Sequence, residues 1–263
     1  MTTTRVGIAA AFPPDTLVAL ETLLQAMADD ELIVGYWDSE WTGIAPILEE
    51  DVAMSSLAQD EIGHARALLG LLGELRAEDP DALAYDREVE ALRHCRLVDH
   101  PRTDWAFTIA RRYLYDEADA IRLEALADST FRPLAELVAK IRREEVYHRM
   151  HASAWLRRLA DDAGEGRSRL EAAWLALLPD AATVFTPLTD EARLVAAGVM
   201  AASNDVLEAR WRQAIGGTCR ELGLTVPGPA ADPASGRSSH GDGVRWLWGQ
   251  ATMVRRLDPE AAW

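Results

Sequence analysis

The pattern Glu-x-x-His occurs twice, at Glu61–His64 and Glu145–His148, and each copy interrupts an otherwise apolar helical stripe. Residues three apart share a helix face, so each copy presents a carboxylate and an imidazole to one point in space. Ala53, Leu57, Glu61, His64, Leu68 and Leu71 advance by fours and threes, the stripe of a core-facing helix. Leu134, Val138, Ile141, Glu145, His148, Ala152, Trp155 and Leu159 do the same. Ionisable groups on such stripes cost on the order of several kcal/mol each to bury unless they are neutral, paired or bound to metal. A fold that buries both stripes must therefore bring the four groups to a shared partner.

The remaining chain supplies more helices and no strands. Pro13, Pro14 and Asp15 open a first helix whose Leu17, Leu20, Leu23, Leu24, Met27 and Val34 recur at helical spacing until Gly43 and Pro46. Glu50–Glu74 reads as a second helix, Trp105–Ala127 as a third and Pro133 to about Leu159 as a fourth. Further helical patterns cover Leu170–Leu178, Asp190–Leu222 and Gly243–Arg256, and the Gly-, Pro- and Ser-rich stretch Thr225–Gly243 reads as a loop. No strand alternation of useful length and no repeat of 20–50 residues is present. The expectation is an all-α, ferritin-like four-helix bundle with additional C-terminal helices. It forms a single domain over 1–263, with the core bundle at about 15–160, the extension at about 167–263 and the loop at 225–243.

The first and third helices each carry an acid on the face that would meet the two motifs. Glu31 shares its face with Leu24, Met27, Val34 and Asp38, and Asp116 shares its face with Ile109, Tyr113, Ala120 and Leu123. Glu31, Glu61, His64, Asp116, Glu145 and His148 thus form a candidate set of four carboxylates and two imidazoles. Ferritin-like bundles use that arrangement to hold two iron or manganese ions. Four carboxylate charges balance two divalent ions, and mixed oxygen and nitrogen donors suit iron, with manganese as the alternative. Asp60, beside Glu61, is a candidate acceptor for the second N–H of a ligand histidine from a neighbouring helix, and Glu144 is a second candidate of this kind. A metal-free alternative keeps the same groups as buried ion pairs, such as His64 with Glu145.

Other residues invite plainer readings. His94 and His100, without partners at ligand spacing, are expected at the surface or as capping residues, and His151 as solvent-facing or hydrogen-bonded. Trp37, Trp41, Trp105 and Trp155 are expected as core or interface anchors, and Trp246, Trp248 and Trp263 as marks of an assembly surface.

With 43 acidic and 27 basic side chains the net charge is −16, which speaks against nucleic acid or an anionic membrane as partner. No apolar run approaches the roughly 18 residues of a membrane-spanning helix, and Ile8–Phe12 is too short for a signal peptide. Cys95 and Cys219 show neither disulfide nor zinc-ribbon spacing, so a cytoplasmic location is expected.

The stretches Glu31–Pro46, Ala58–Arg66, Ala110–Asp116 and Arg143–His148, with the ending from Gly243 to Trp263, resemble the phenylacetic acid degradation oxygenase family. Its related A- and C-type subunits are ferritin-like. The resemblance implies a multicomponent, oxygen-dependent monooxygenase that epoxidises the aromatic ring of phenylacetyl-CoA. Electrons come from a separate reductase subunit, the di-iron site belongs to the A-type chain, and the C-type chain pairs with it as a scaffold. The length, the region around Asp81–Val98 and the closing tryptophan look C-like. The positions of Glu31, Glu61, His64, Asp116, Glu145 and His148 match the iron ligands of the A-type chain. The resemblance thus implies an aromatic acyl-CoA substrate and partner subunits in a homo- or hetero-oligomer. It leaves three readings: a metal-bearing member of the oxygenase complex, a non-catalytic scaffold for the A-type chain, and a stand-alone di-metal oxidase.

Overall fold

A computed structural model describes residues 12–232 and 236–258. Four long helices dominate: α1 (Pro14–Ser39), α2 (Leu48–Arg76) and, after the short α3 (Pro80–Tyr85) and α4 (Arg96–Asp99), α5 (Trp105–Leu126) and α6 (Arg132–Asp161). They are followed by α7 (Glu165–Leu177), α8 (Glu191–Ala196), α9 (Asn204–Leu222) and α10 (Asp242–Leu257), and no strand occurs among the described residues. The all-α architecture expected from the periodicity is the one observed.

The helix starts have identifiable chemical causes. Pro14 sits in the first turn of α1, where its missing N–H is no loss. Glu49, Glu50 and Asp51 place negative charge at the positive end of α2. Asp104 caps α5 by accepting a hydrogen bond from the Phe107 N–H at 2.8 Å.

Helices α1 and α2 pack along each other, α5 packs on α6, and α2 meets α6. Gly35 sets how closely α1 approaches α2 at the motif. A Cβ there would stand 3.0 Å from Glu61 Cβ and 3.2 Å from the Ala58 carbonyl oxygen, too close without displacement. Helices α7 and α9 cover α5 and α6, whereas α8 and α10 lie against α1. One apolar cluster runs from Ala19 to Trp248. Trp105 meets Trp41 and Trp155 edge to face, with ring centroids 5.1 and 5.2 Å apart.

The structure departs from the sequence expectations at three places. The helix expected over Asp190–Leu222 is two, α8 and α9, because Gly198 takes φ +71 and turns the chain, its carbonyl accepting from Thr130 N–H at 3.0 Å. His94 is buried, not superficial, with Nε2 2.9 Å from Asp99 Oδ1 and its ring edge-on to His240. His100 takes the C-cap position of α4, within the expectation, and bonds Asp180 at 2.9 Å. Trp248 is core: its indole N–H donates to the Arg87 carbonyl and its ring lies near-parallel to Tyr85, whereas Trp246 is exposed. Ile8 and Trp263 lie outside the described residues. Helices α3 and α4 fill the stretch between the second and third long helices, where no periodicity marks an element.

Candidate metal centre

The two motifs face each other across α2 and α6, with Glu31 of α1 closing one side. Among the described residues, Glu31, Glu61, His64 and Glu145 each offer a ligand atom, and these atoms all lie within 4.8 Å of one another. His64 Nδ1 is 3.5 Å from Glu31 Oε2, 3.7 Å from Glu61 Oε2 and 3.7 Å from Glu145 Oε1. Donors about 2.0–2.2 Å from a metal stand about 3–4 Å from each other, so this spacing suits one ion at their centre. All four of these atoms are buried and lack a hydrogen-bond partner. Buried donors left open in this way fit a cation.

The outer edges of the two imidazoles are held across the helix pair. His64 Nε2 lies 2.9 Å from Glu144 Oε2, and His148 Nε2 lies 3.3 Å from Asp60 Oδ2. Each histidine thus turns Nδ1 inward and Nε2 toward a carboxylate of the opposite motif, the arrangement that fixes a ligand histidine. His151 bonds Glu50 at 2.6 Å and lies outside the cluster.

Asp116 and His148 occupy the other half of the centre. His148 Nδ1 is 2.9 Å from Glu145 Oε1 and 3.3 Å from Glu61 Oε1. Between these groups lies a residue that periodicity does not single out: Arg112, one turn before Asp116 on α5. Its guanidinium donates to Glu61 Oε1, and stands 3.2 Å from Asp38 Oδ2 and 3.0 Å from Asp116 Oδ1. Its i,i+4 relation to Asp116 is the signal available in the sequence. The four-residue half therefore fits an ion, whereas the Asp116–His148 half already contains a cation.

A wider buried network continues from here. Tyr115 donates to Glu31 Oε1 at 2.9 Å, and Arg122 donates to Tyr115 Oη at 3.2 Å and to Asp30 Oδ2 at 2.6 Å. Arg237, from the Gly- and Pro-rich loop, also grips Asp30 at 2.9 Å. The loop expected between α9 and α10 is thereby pinned to α1.

Burial drives the electrostatics. Desolvation pushes the Glu31 and Asp116 carboxyls well above the ordinary carboxylate range. Glu61 faces the same desolvation, but the charge of Arg112 outweighs it and keeps that carboxyl well below the usual range. Burial disfavours charge on His64, yet the nearby Glu31 and Glu61 carboxylates prevail and lift its pKa to about 12. His148 rises to about 11 against the same desolvation, through Glu145 and Glu61. A cleft of about 210 Å³ lined by Ile121, Glu124, Arg142 and Arg149 also has Glu145 in its wall.

The chain is 28% identical over 239 residues to the C-type subunit of the 1,2-phenylacetyl-CoA epoxidase of Escherichia coli (strain K12), covering 90% of this chain and 96% of that one. It is also 25% identical over 231 residues to the A-type subunit of the same organism's epoxidase, covering 83% of this chain and 72% of the relative. Residues 9–263 match the family described as phenylacetic acid catabolic protein, and with nearly its whole length aligned the chain belongs to that family.

Proposed function

We propose that this chain is a subunit of a phenylacetyl-CoA epoxidase, a multicomponent oxygen-dependent monooxygenase, and that its buried cluster binds a redox-active metal, iron first and manganese as the alternative. The observation that carries this reading is the convergence of four buried donor atoms, from Glu31, Glu61, His64 and Glu145, in a member of this family. Bound iron supplies the electron-transfer capacity that O2 chemistry requires. The protein's part is to hold the donors rigidly: Gly35 lets α1 close on Glu61, and Glu144 orients the His64 ring. An A-type chain, a reductase and an aromatic acyl-CoA are the partners that this reading requires, in the cytoplasm. The likeness to both the C-type and the A-type relative supports a place beside an A-type chain.

Co-expression with an A-type chain tests the proposal. The expected result is a stable complex in which this chain retains iron and Glu61→Ala lowers both its iron content and phenylacetyl-CoA-dependent O2 uptake. A second reading, a scaffold without chemistry of its own, is favoured by one observation, the pairing of Arg112 with Glu61, Asp38 and Asp116. Unchanged O2 uptake in an intact Glu61→Ala complex would select it.

A further inference from the structure

Four carboxylates and two imidazoles at these positions would ordinarily seat two ions. Here the two oxygens of Glu61 have different partners. Oε2 faces His64 and is otherwise open, whereas Oε1 accepts from the Arg112 guanidinium and lies 3.3 Å from His148 Nδ1. The guanidinium therefore stands on the side of Glu61 that a second ion would use, and the same group approaches Asp116, the remaining acid of that half.

Arg112 cannot readily leave. It is 1% exposed, and Asp38, Glu61 and Asp116 surround its head. A guanidinium also stays charged at any working pH, so it cannot yield its place by losing a proton, as an imidazole can.

We propose that the centre holds one metal ion, bound by Glu31, Glu61, His64 and Glu145, and that the Arg112 guanidinium is the fixed cation in the place of a second. This rests on the reading that the cluster binds metal. It gives Arg112 a specificity role: it sets the nuclearity of the site.

Metal-free full-length protein, reloaded with Mn(II), would be measured for metal content and by electron paramagnetic resonance. The wild type is expected to hold about one ion per chain with the hyperfine pattern of an isolated Mn(II). Arg112→Met, which removes the charge and opens the space, is expected to hold about two, with the broadened signal of a coupled pair, and Arg112→Lys about one. Because Arg112→Met takes a guanidinium away from three buried acids and can fail to fold, Asp116→Asn gives an independent reading. It is expected to leave the wild-type content unchanged, since Asp116 lies outside the one-ion set, while Glu31→Gln abolishes it. About two ions in the wild type, or a loss of half the metal in Asp116→Asn, would overturn the one-ion site while leaving metal binding intact. Folded wild type and variants that take up no metal would instead remove the metal reading and this proposal with it.

Discussion

His64 Nε2 on α2 lies 2.9 Å from Glu144 Oε2 on α6, so the residue preceding one motif glutamate holds the outer edge of the other motif's histidine. His148 and Asp60 repeat the relation in reverse at 3.3 Å. The two motifs are thereby locked to each other outside the cluster as well as inside it. Carboxylates in this position fix ring orientation and raise ligand basicity. Glu144→Ala is expected to weaken metal affinity by about 10–100-fold, with little loss of stability because Glu144 is partly exposed. Competition against a metallochromic chelator measures it, and an unchanged affinity would show that His64 needs no such support.

Gly35 controls the distance between α1 and α2 where Glu31 and Glu61 meet. Gly35→Ala would press a methyl group against Glu61 Cβ, Ile62 and the Ala58 carbonyl oxygen, all within 3.2 Å. Ala is the better helix former, so propensity alone predicts a gain of about 0.5–1 kcal/mol. Overpacking costs about 1–3 kcal/mol and is expected to win, giving a net loss in urea unfolding together with weaker metal retention. A stabilised variant would mean that α1 and α2 can separate freely.

Asp30 ties the loop before α10 to the bundle through Arg237 and Arg122. Burial opposes its ionisation, but the two guanidiniums outweigh this and hold its pKa below the ordinary 3.8. A carboxyl lowered in the folded state contributes stability that is present above the unfolded pKa and lost as pH falls through the folded one. Asp30→Asn is therefore expected to be less stable than wild type near neutrality by about 3–5 kcal/mol, because it leaves buried guanidiniums unpaired. The gap should narrow as the pH is taken below the ordinary carboxylate pKa. Urea midpoints across a pH series check both the size and the slope.

These cases also mark what the amino-acid pattern makes legible. The four long helices and the faces of Glu31, Glu61, Asp116 and Glu145 follow from periodicity, since a register that puts Leu24 and Met27 inside puts Glu31 there too. Arg112 is not legible in the same way. An arginine on a core-facing stripe reads identically whether its stem snorkels outward or its head stays inside, and only the positions of Asp38 and Glu61 on other helices decide. His94 escapes for a related reason: His240, which stacks edge-on to it, lies far away in the chain. The break inside Asp190–Leu222 is marked by Gly198, but glycine alone does not announce a left-handed turn. The packing of Thr130 against that residue requires it.

Metal binding should release protons, and the sign follows from the histidines. In the metal-free fold His64 carries a pKa of about 12, burial being outweighed by Glu31 and Glu61, so at neutral pH the ring is an imidazolium with no lone pair for a metal. Desolvation raises the Glu31 carboxyl well above the ordinary carboxylate range in the same state. A bound ion needs a neutral imidazole, so each binding event must expel the His64 proton. Affinity is then expected to rise with pH across the neutral range. Because a folded-state histidine pKa above its unfolded value stabilises the fold below the unfolded pKa and loses that effect as pH rises, the metal-free protein should become less stable as the medium turns alkaline. The metal-loaded protein, with His64 already deprotonated, should lose less. Calorimetric titration with Mn(II) in two buffers of different ionisation enthalpy gives the proton count directly. At least about one proton per ion is expected, falling in Glu31→Gln as metal uptake fails. Buffer-independent heats would mean that the histidine is already neutral in the folded chain, and that the Glu31 and Glu61 carboxylates do not charge it.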